Sequence, residues 1–238
     1  MQTSDFDVES LAAYLHILPV QVTKMAERGK LPGRKVAGQW RFSVGEIHHW
    51  LEDRIGLSDD DGLASVERIL ESRTPATSEL SLADVITPDA IAVPLVAKTR
   101  NSVITSMVEL AAETGWLWDS PKMVEAIKTR EELHPTALDN GVALLHPRRP
   151  QNSILAQAII VVGVTTHGLP FGGAASTDLF FLIAATSDVE HLQLLARVSR
   201  IVANNGLLAD LRCAGSANEV YNILTKADAE LVGSDLPD

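Results

Sequence analysis

Between Arg130 and His146 the chain reads Arg-Glu-Glu-Leu-His-Pro-Thr-Ala-Leu-Asp-Asn-Gly-Val-Ala-Leu-Leu-His. Asn140-Gly141 is a turn signal, and Val142 to Leu145 is an apolar run of strand length. Pro147 follows His146 and has no N–H to donate, so pairing ends there. An imidazole is thereby set where a rigid strand gives way to a loop. Arg130, at the end of an amphipathic run, is within reach of the same spot. A neutral imidazole beside a guanidinium suits phosphoryl acceptance: the ring nitrogen attacks phosphorus and the guanidinium grips the phosphate oxygens as a fork. The plainer alternative is a structural histidine closing an apolar strand.

The elements around this stretch alternate. An extended segment at Ile91–Leu95 precedes a helix expected over Asn101–Thr114. A second helix is expected over Pro121–Glu132, capped by Ser120 under a first-position proline. Three strands follow: Val142–Leu145, Ile154–Val164 and Asp178–Ala185. The next helix is expected over Val189–Asn204, with Asp188 as its cap and Asn205-Gly206 as its stop. Two short helices, Leu207–Cys213 and Ala217–Lys226, end the chain. Strands alternating with helices imply an α/β sandwich.

With those residues in view, the chain resembles the enzyme IIA domains of the sugar phosphotransferase system, of the fructose/mannitol and nitrogen-regulatory type. The resemblance spans roughly residues 80 to 230. It rests on Arg130-Glu131, Asn140-Gly141-Val142-Ala143 and His146, and on Glu190-His191-Leu192. It implies that His146 takes phosphate from the phosphocarrier protein HPr or a relative, with Arg130 as the motif arginine and His191 as the second histidine. One residue departs from the motif: Leu145 stands where proline is usual. His191 would lie in the first turn of its helix, where backbone N–H groups and the dipole favour an anion. There it holds the phosphate, fixes the tautomer of His146, or merely caps its own helix. Thr136 either donates its hydroxyl to the phosphate or holds a turn. Arg148 and Arg149 either attract a phosphorylated donor or are simply solvated.

The first fifty residues have another character. Val8–Leu15 has helical spacing with Asp7 as its cap. His16-Ile17-Leu18 is a turn, and Pro19 opens a helix that runs to Arg28 and stops at Gly29. Arg34–Val36, a turn at Ala37-Gly38 and Gln39–Phe42 make a hairpin. Ser43 with Glu46 makes a capping box for a third helix ending near Arg54. Two helices, a tight turn and a basic hairpin describe a winged helix-turn-helix. It resembles the excisionase-type, MerR-like DNA-binding domain through Gly29-Lys30-Leu31-Pro32, Gly38-Gln39-Trp40-Arg41-Phe42 and Ile47-His48-His49-Trp50-Leu51. In that reading Gln21, Lys24 and Arg28 face the major groove of duplex DNA, and Arg34, Lys35 and Arg41 hold its backbone. A single small module makes few contacts, so useful affinity calls for a homodimer.

Charge supports the division. The chain carries a formal net charge of −11. Residues 1–54 hold seven basic and seven acidic groups, so the whole excess lies beyond them. From Lys24 to Arg41 six cations face only Glu27, which marks one face for an anion. Residues 55–80 read as an acidic tether, with a short helix expected at Leu63–Leu70. The expected architecture is therefore α/β: a winged helix-turn-helix at 1–54, the tether, and an enzyme IIA-like sandwich with a mixed sheet at 81–232. The one cysteine, Cys213, permits no intrachain disulfide and reads as buried. No apolar run spans a bilayer and the acidic N-terminus is unlike a signal peptide, so no membrane insertion and a cytoplasmic location are expected. No Cys/His spacing suits a metal, and no motif calls for a cofactor. Thr165–Gly173, with His167 in it, reads as a flexible loop, and it lacks the Gly-Lys-Ser/Thr ending of a phosphate-binding loop.

Overall fold

A computed structural model describes residues 5–15, 17–55 and 81–234. The chain divides into two compact units, residues 1–77 and 78–238. The expected tether helix at Leu63–Leu70 lies outside the described residues.

In the first unit α1 spans Val8–Leu15 and α2 spans Pro19–Glu27. Asp7 caps α1 by accepting the Ser10 N–H at 2.8 Å. That bond, then the Ser10 hydroxyl, holds the Asp7 carboxyl below the ordinary carboxylate range. Leu18 has no polar side chain with which to cap α2. Gln21 serves from the other side, its Oε1 accepting the Leu18 N–H at 2.9 Å. The hairpin pairs β1, Arg34–Val36, with β2, Gln39–Arg41. Its turn residues Ala37 and Gly38 have φ of 49° and 81°. Two positive φ values in a two-residue loop match the twist of the strands it joins. α3, Val44–Ile55, buries Ile47 and Leu51 beside Leu11, Val22 and Phe42 in the core of the unit. His48 of α3 is buried too, with its Nε2 2.8 Å from the Tyr14 hydroxyl.

The second unit begins with α4, Leu82–Val85, capped by Ser81. Beyond a 3₁₀ turn comes β3, Ile91–Ala92. Then follow α5, Arg100–Glu113, and α6, Ser120–Leu133. The strands are β4, Val142–Leu145, β5, Ile159–Leu169, and β6, Thr177–Ala184. α7, Asp188–Ala203, α8, Asn205–Cys213, and α9, Ala217–Ser234, close the chain. The sheet order is β3-β5-β6-β4. β4 is parallel to β6, β3 is parallel to β5, and β5 is antiparallel to β6, so the sheet is mixed.

Alternation along the strands sends side chains to two faces. Ala143, Leu145, Val161, Phe180 and Leu182 join Val103, Met107, Met123 and Ile127 from α5 and α6 in one core. Leu179, Phe181 and Ile183, from the alternate positions of β6, are also fully buried. α7 packs against β6 and α9 against β3. With both faces covered, the strands are apolar almost throughout. Phe180→Ala should therefore cost about 3–5 kcal/mol, because a ring-sized hole opens where the neighbours are already packed. Urea unfolding of the full chain measures it.

Several local expectations are corrected. The caps of α6 and α7 are Asp119, which accepts the Lys122 N–H, and Ser187, which accepts the Glu190 N–H; Ser120 and Asp188 lie inside their helices. Asn205-Gly206 is not a stop but the first turn of α8: α7 ends at Ala203, and the Asn204 side chain accepts the Gly206 and Leu207 N–H groups and so starts α8. Ile154 and Leu155 are buried in a turn, and β5 begins only at Ile159. The strand then continues to Leu169, so His167 lies on it and not in a loop. α9 runs eight residues past Lys226. Cys213 is exposed, because it ends α8 while Leu208 and Leu211 take that helix's inner face. Among the described residues no helix is long and apolar enough to cross a membrane.

Candidate functional site

The topology explains how two distant histidines meet. β4 and β6 run parallel with Leu145 opposite Leu182, so both end at the same edge of the sheet. His146 is the residue after β4. The chain leaving β6 turns at Ala185–Ser187 into α7, which carries His191 in its first turn. Gln151 N–H donates to the Ala185 carbonyl at 3.0 Å and ties the segment after His146 to the end of β6. The His146 and His191 ring centroids are 5.3 Å apart, with planes tilted by 52°. Both rings are buried, 3 % and 2 % exposed. The carboxyl ends of parallel strands are where α/β sheets hold ligands.

His146 has a defined ring orientation. Its Nδ1 lies 2.7 Å from the Leu144 carbonyl oxygen. A carbonyl only accepts, so Nδ1 carries the proton and Nε2 holds the lone pair. The N-terminus of α7 is also well set. Glu190 accepts both the Thr186 N–H and hydroxyl at 2.9 Å, and Ser187 accepts the Glu190 N–H.

Arg130 is 6 % exposed near the end of α6. Its NH1 donates to the His134 carbonyl at 2.9 Å, and among the described residues its buried Nε has no hydrogen-bond partner. A buried cation with an unused donor is open to an anion. Thr136 is brought beside the acceptor strand: the residue after it, Ala137, bridges to Ala143, and its carbonyl accepts the Leu144 N–H at 3.2 Å. Its hydroxyl, for which phosphate donation and holding a turn are the two alternatives, goes to Glu131. Arg148 and Arg149 are exposed. Glu131 enters the sequence reading only as part of the motif, and Arg100, which bonds it, does not enter at all. Glu131 is signalled only by its place next to Arg130. Arg100 carries no local signal, since 31 positions separate the pair and only the packing of α5 on α6 joins them.

In the first unit Gln21 and Lys24 are exposed on α2 and Arg28 is exposed just past its end, while Val22 and Ala26 face inward. The Gln21 carbonyl is used as the helix cap, which leaves only its amide N–H groups for a base edge. Arg34 meets Asp5 at 2.8 Å and Arg41 meets Asp7 at 3.6 Å. Lys35 lies over the Trp40 ring, 5.2 Å from its centroid. Two of the three hairpin cations are thus already matched by carboxylates.

Known proteins accord with both units. Residues 84–227 match the family described as phosphoenolpyruvate-dependent sugar phosphotransferase system, EIIA 2. Residues 6–55 match a helix-turn-helix domain family. A nitrogen regulatory protein of Klebsiella oxytoca is 28% identical over 152 residues, covering 63% of this chain and 93% of that one. A fructose-specific EIIABC component of the same transport system from Bacillus subtilis is 26% identical over 153 residues, 63% of this chain and 24% of its own. Among solved structures, nitrogen regulatory protein IIA-Ntr from Neisseria meningitidis superposes with a TM-score of 0.55 at 20% identity, over 60% of this chain and 98% of that one. IIA mannitol from Escherichia coli gives 0.52 at 24% identity, over 58% and 97%. At such identities these structures speak for the fold. The family match covers more than half of the chain, which therefore belongs to the EIIA 2 family of the phosphoenolpyruvate-dependent sugar phosphotransferase system, with a helix-turn-helix domain ahead of the family domain.

Proposed function

We propose that the chain is a DNA-binding regulator whose second unit accepts a phosphoryl group on Nε2 of His146 from an HPr-like phosphocarrier. The observation that carries this reading is the ring of His146, with its Nδ1–H on the Leu144 carbonyl and its centroid 5.3 Å from that of the His191 ring. In the transfer the His146 Nε2 lone pair forms a bond to phosphorus. The bond from phosphorus to the donor's ring nitrogen breaks, and the donor imidazole leaves with that electron pair and takes up a proton. Positive charge then grows on the His146 ring, and the Leu144 carbonyl stabilises it through Nδ1–H. Arg130 neutralises the phosphate oxygens. His191, at the start of α7, adds a second group beside the new dianion, where the helix N-terminus favours negative charge. At 3 % exposure the ring meets a donor only after a local opening of its surroundings.

The first unit binds duplex DNA with α2 in the major groove, as a homodimer that doubles the few contacts one module makes. A dianion added at one end of the sheet changes local electrostatics enough to bias docking or dimerisation. Incubation of the full chain with a phosphorylated HPr-type carrier should give acid-labile label on the wild type and none on His146→Ala. Equal labelling of both would remove the reading. A phosphocarrier that hands its phosphate to a protein partner is the competing reading, favoured by the similarity to part of the EIIABC component of Bacillus subtilis. A mobility shift at low salt separates the two, since only the regulator retards duplex DNA.

A further inference from the structure

Arg130 and Glu131 are neighbours in sequence, opposite in charge and both buried. They are not partners. The Glu131 carboxylate is taken from another direction. Arg100 donates NH2 to Glu131 Oε2 and to the Glu131 backbone carbonyl, the latter at 2.8 Å. Thr136 donates both its N–H, at 3.1 Å, and its hydroxyl to Oε1. Arg130 reaches the His134 carbonyl instead. Arg100 is the first residue of α5, where the helix dipole disfavours a cation. It is held there by Glu131 and by the Phe171 ring, 5.3 Å away.

We propose that Arg100 is a positioning residue for the phosphate site: by holding the Glu131 carboxylate, it leaves the adjacent Arg130 guanidinium with uncancelled charge for a phosphoryl group. The proposal rests on the reading of Arg130 as the anion-holding group. Charge counting carries it. Arg100, Arg130 and Glu131 together are singly positive, and two negative charges arrive with the phosphoryl group. Remove Arg100, and a bare buried carboxylate next to Arg130 brings the cluster to zero. In a medium of low dielectric one such charge acts strongly on a guanidinium one residue away. The same carboxylate is linked to the acceptor ring through a chain of hydrogen bonds. It fixes Thr136, whose carbonyl takes the Leu144 N–H, and the Leu144 carbonyl takes the His146 Nδ1–H.

The test uses the full chain as wild type, Arg100→Met, Arg100→Lys and the double variant Arg100→Met/Glu131→Gln. Inorganic phosphate is titrated while the Arg130 Nε–H resonance is followed. Transfer from a phosphorylated HPr-type carrier is timed in parallel. Arg100→Met should weaken the phosphate response and slow transfer by about tenfold or more. The double variant should recover most of both, because glutamine still accepts from Thr136 but carries no charge. Arg100→Lys should stay near wild type, its charge being retained. Thermal unfolding is followed on the same variants, because a merely structural arginine would lose and regain transfer only in step with stability, whereas a positioning residue also changes the phosphate response of folded protein. Arg100→Met indistinguishable from wild type, a double variant no better than the single one, or a wild-type Arg130 signal blind to phosphate would each overturn the proposal. A wild type that takes no label overturns the reading of His146 instead, while the phosphate titration still decides on Arg100.

Discussion

Arg130→Leu should slow phosphoryl transfer to His146 by roughly 10²- to 10³-fold, at nearly unchanged stability. The rate loss follows from what the transition state needs. The transferred group spreads negative charge over its oxygens, and a preformed donor in a dry site meets that charge without reorganising. Removing one such donor costs about 3–4 kcal/mol of barrier. Stability changes little for a separate reason. Arg130 is a buried cation with one hydrogen bond, to the His134 carbonyl, and an unused Nε. Leucine gives up that bond but also removes the desolvation cost of the charge. Arg130→Lys should fall between, since an ammonium keeps the charge and loses the planar fork. Single-turnover transfer of label and thermal unfolding read the two effects separately. Full-rate transfer to Arg130→Leu would remove the arginine from the site.

The second large effect concerns DNA. The Lys24→Ala/Arg28→Ala/Lys35→Ala chain should show a log Kd against log salt slope smaller by about 5.4 as a homodimer, because each phosphate contact contributes about 0.9 on duplex DNA and each of the two modules loses three. Lys24 is exposed on α2, Arg28 is exposed just past its end, and Lys35 leans on Trp40 without a carboxylate partner among the described residues. Arg34 and Arg41 behave differently, because a DNA phosphate must first replace Asp5 and Asp7. Arg34→Ala/Arg41→Ala should therefore change the slope by less per residue. Fluorescence anisotropy with one duplex at several salt concentrations checks it, and an unchanged slope in the triple variant would take α2 off the DNA.

Much of this protein is readable locally. The helix at Val8–Leu15, the hairpin turn at Ala37-Gly38 and the strand at Val142–Leu145 depend on periodicity and turn chemistry within a few residues. Those signals survive without tertiary context. The Arg130-to-His146 motif was equally legible, because its turn, strand and terminal proline are contiguous. Caps were less secure. Ser120 and Asp188 are good capping types, yet Asp119 and Ser187, one position earlier, have the geometry. A one-residue phase error is easily made when neighbouring residues can play the same part.

The sequence alone determined the two-part plan, the basic face from Lys24 to Arg41 and an imidazole at the end of an apolar strand, since each is written in residues close together. Only tertiary structure decided that His146 meets His191, because that needs β4 and β6 parallel and adjacent although a whole antiparallel strand, β5, lies between them in sequence. It also decided that Glu131 turns to Arg100 and Thr136 while Arg130 turns to a carbonyl. Such choices among partners are made by the packing of one element on another, and no local pattern encodes them.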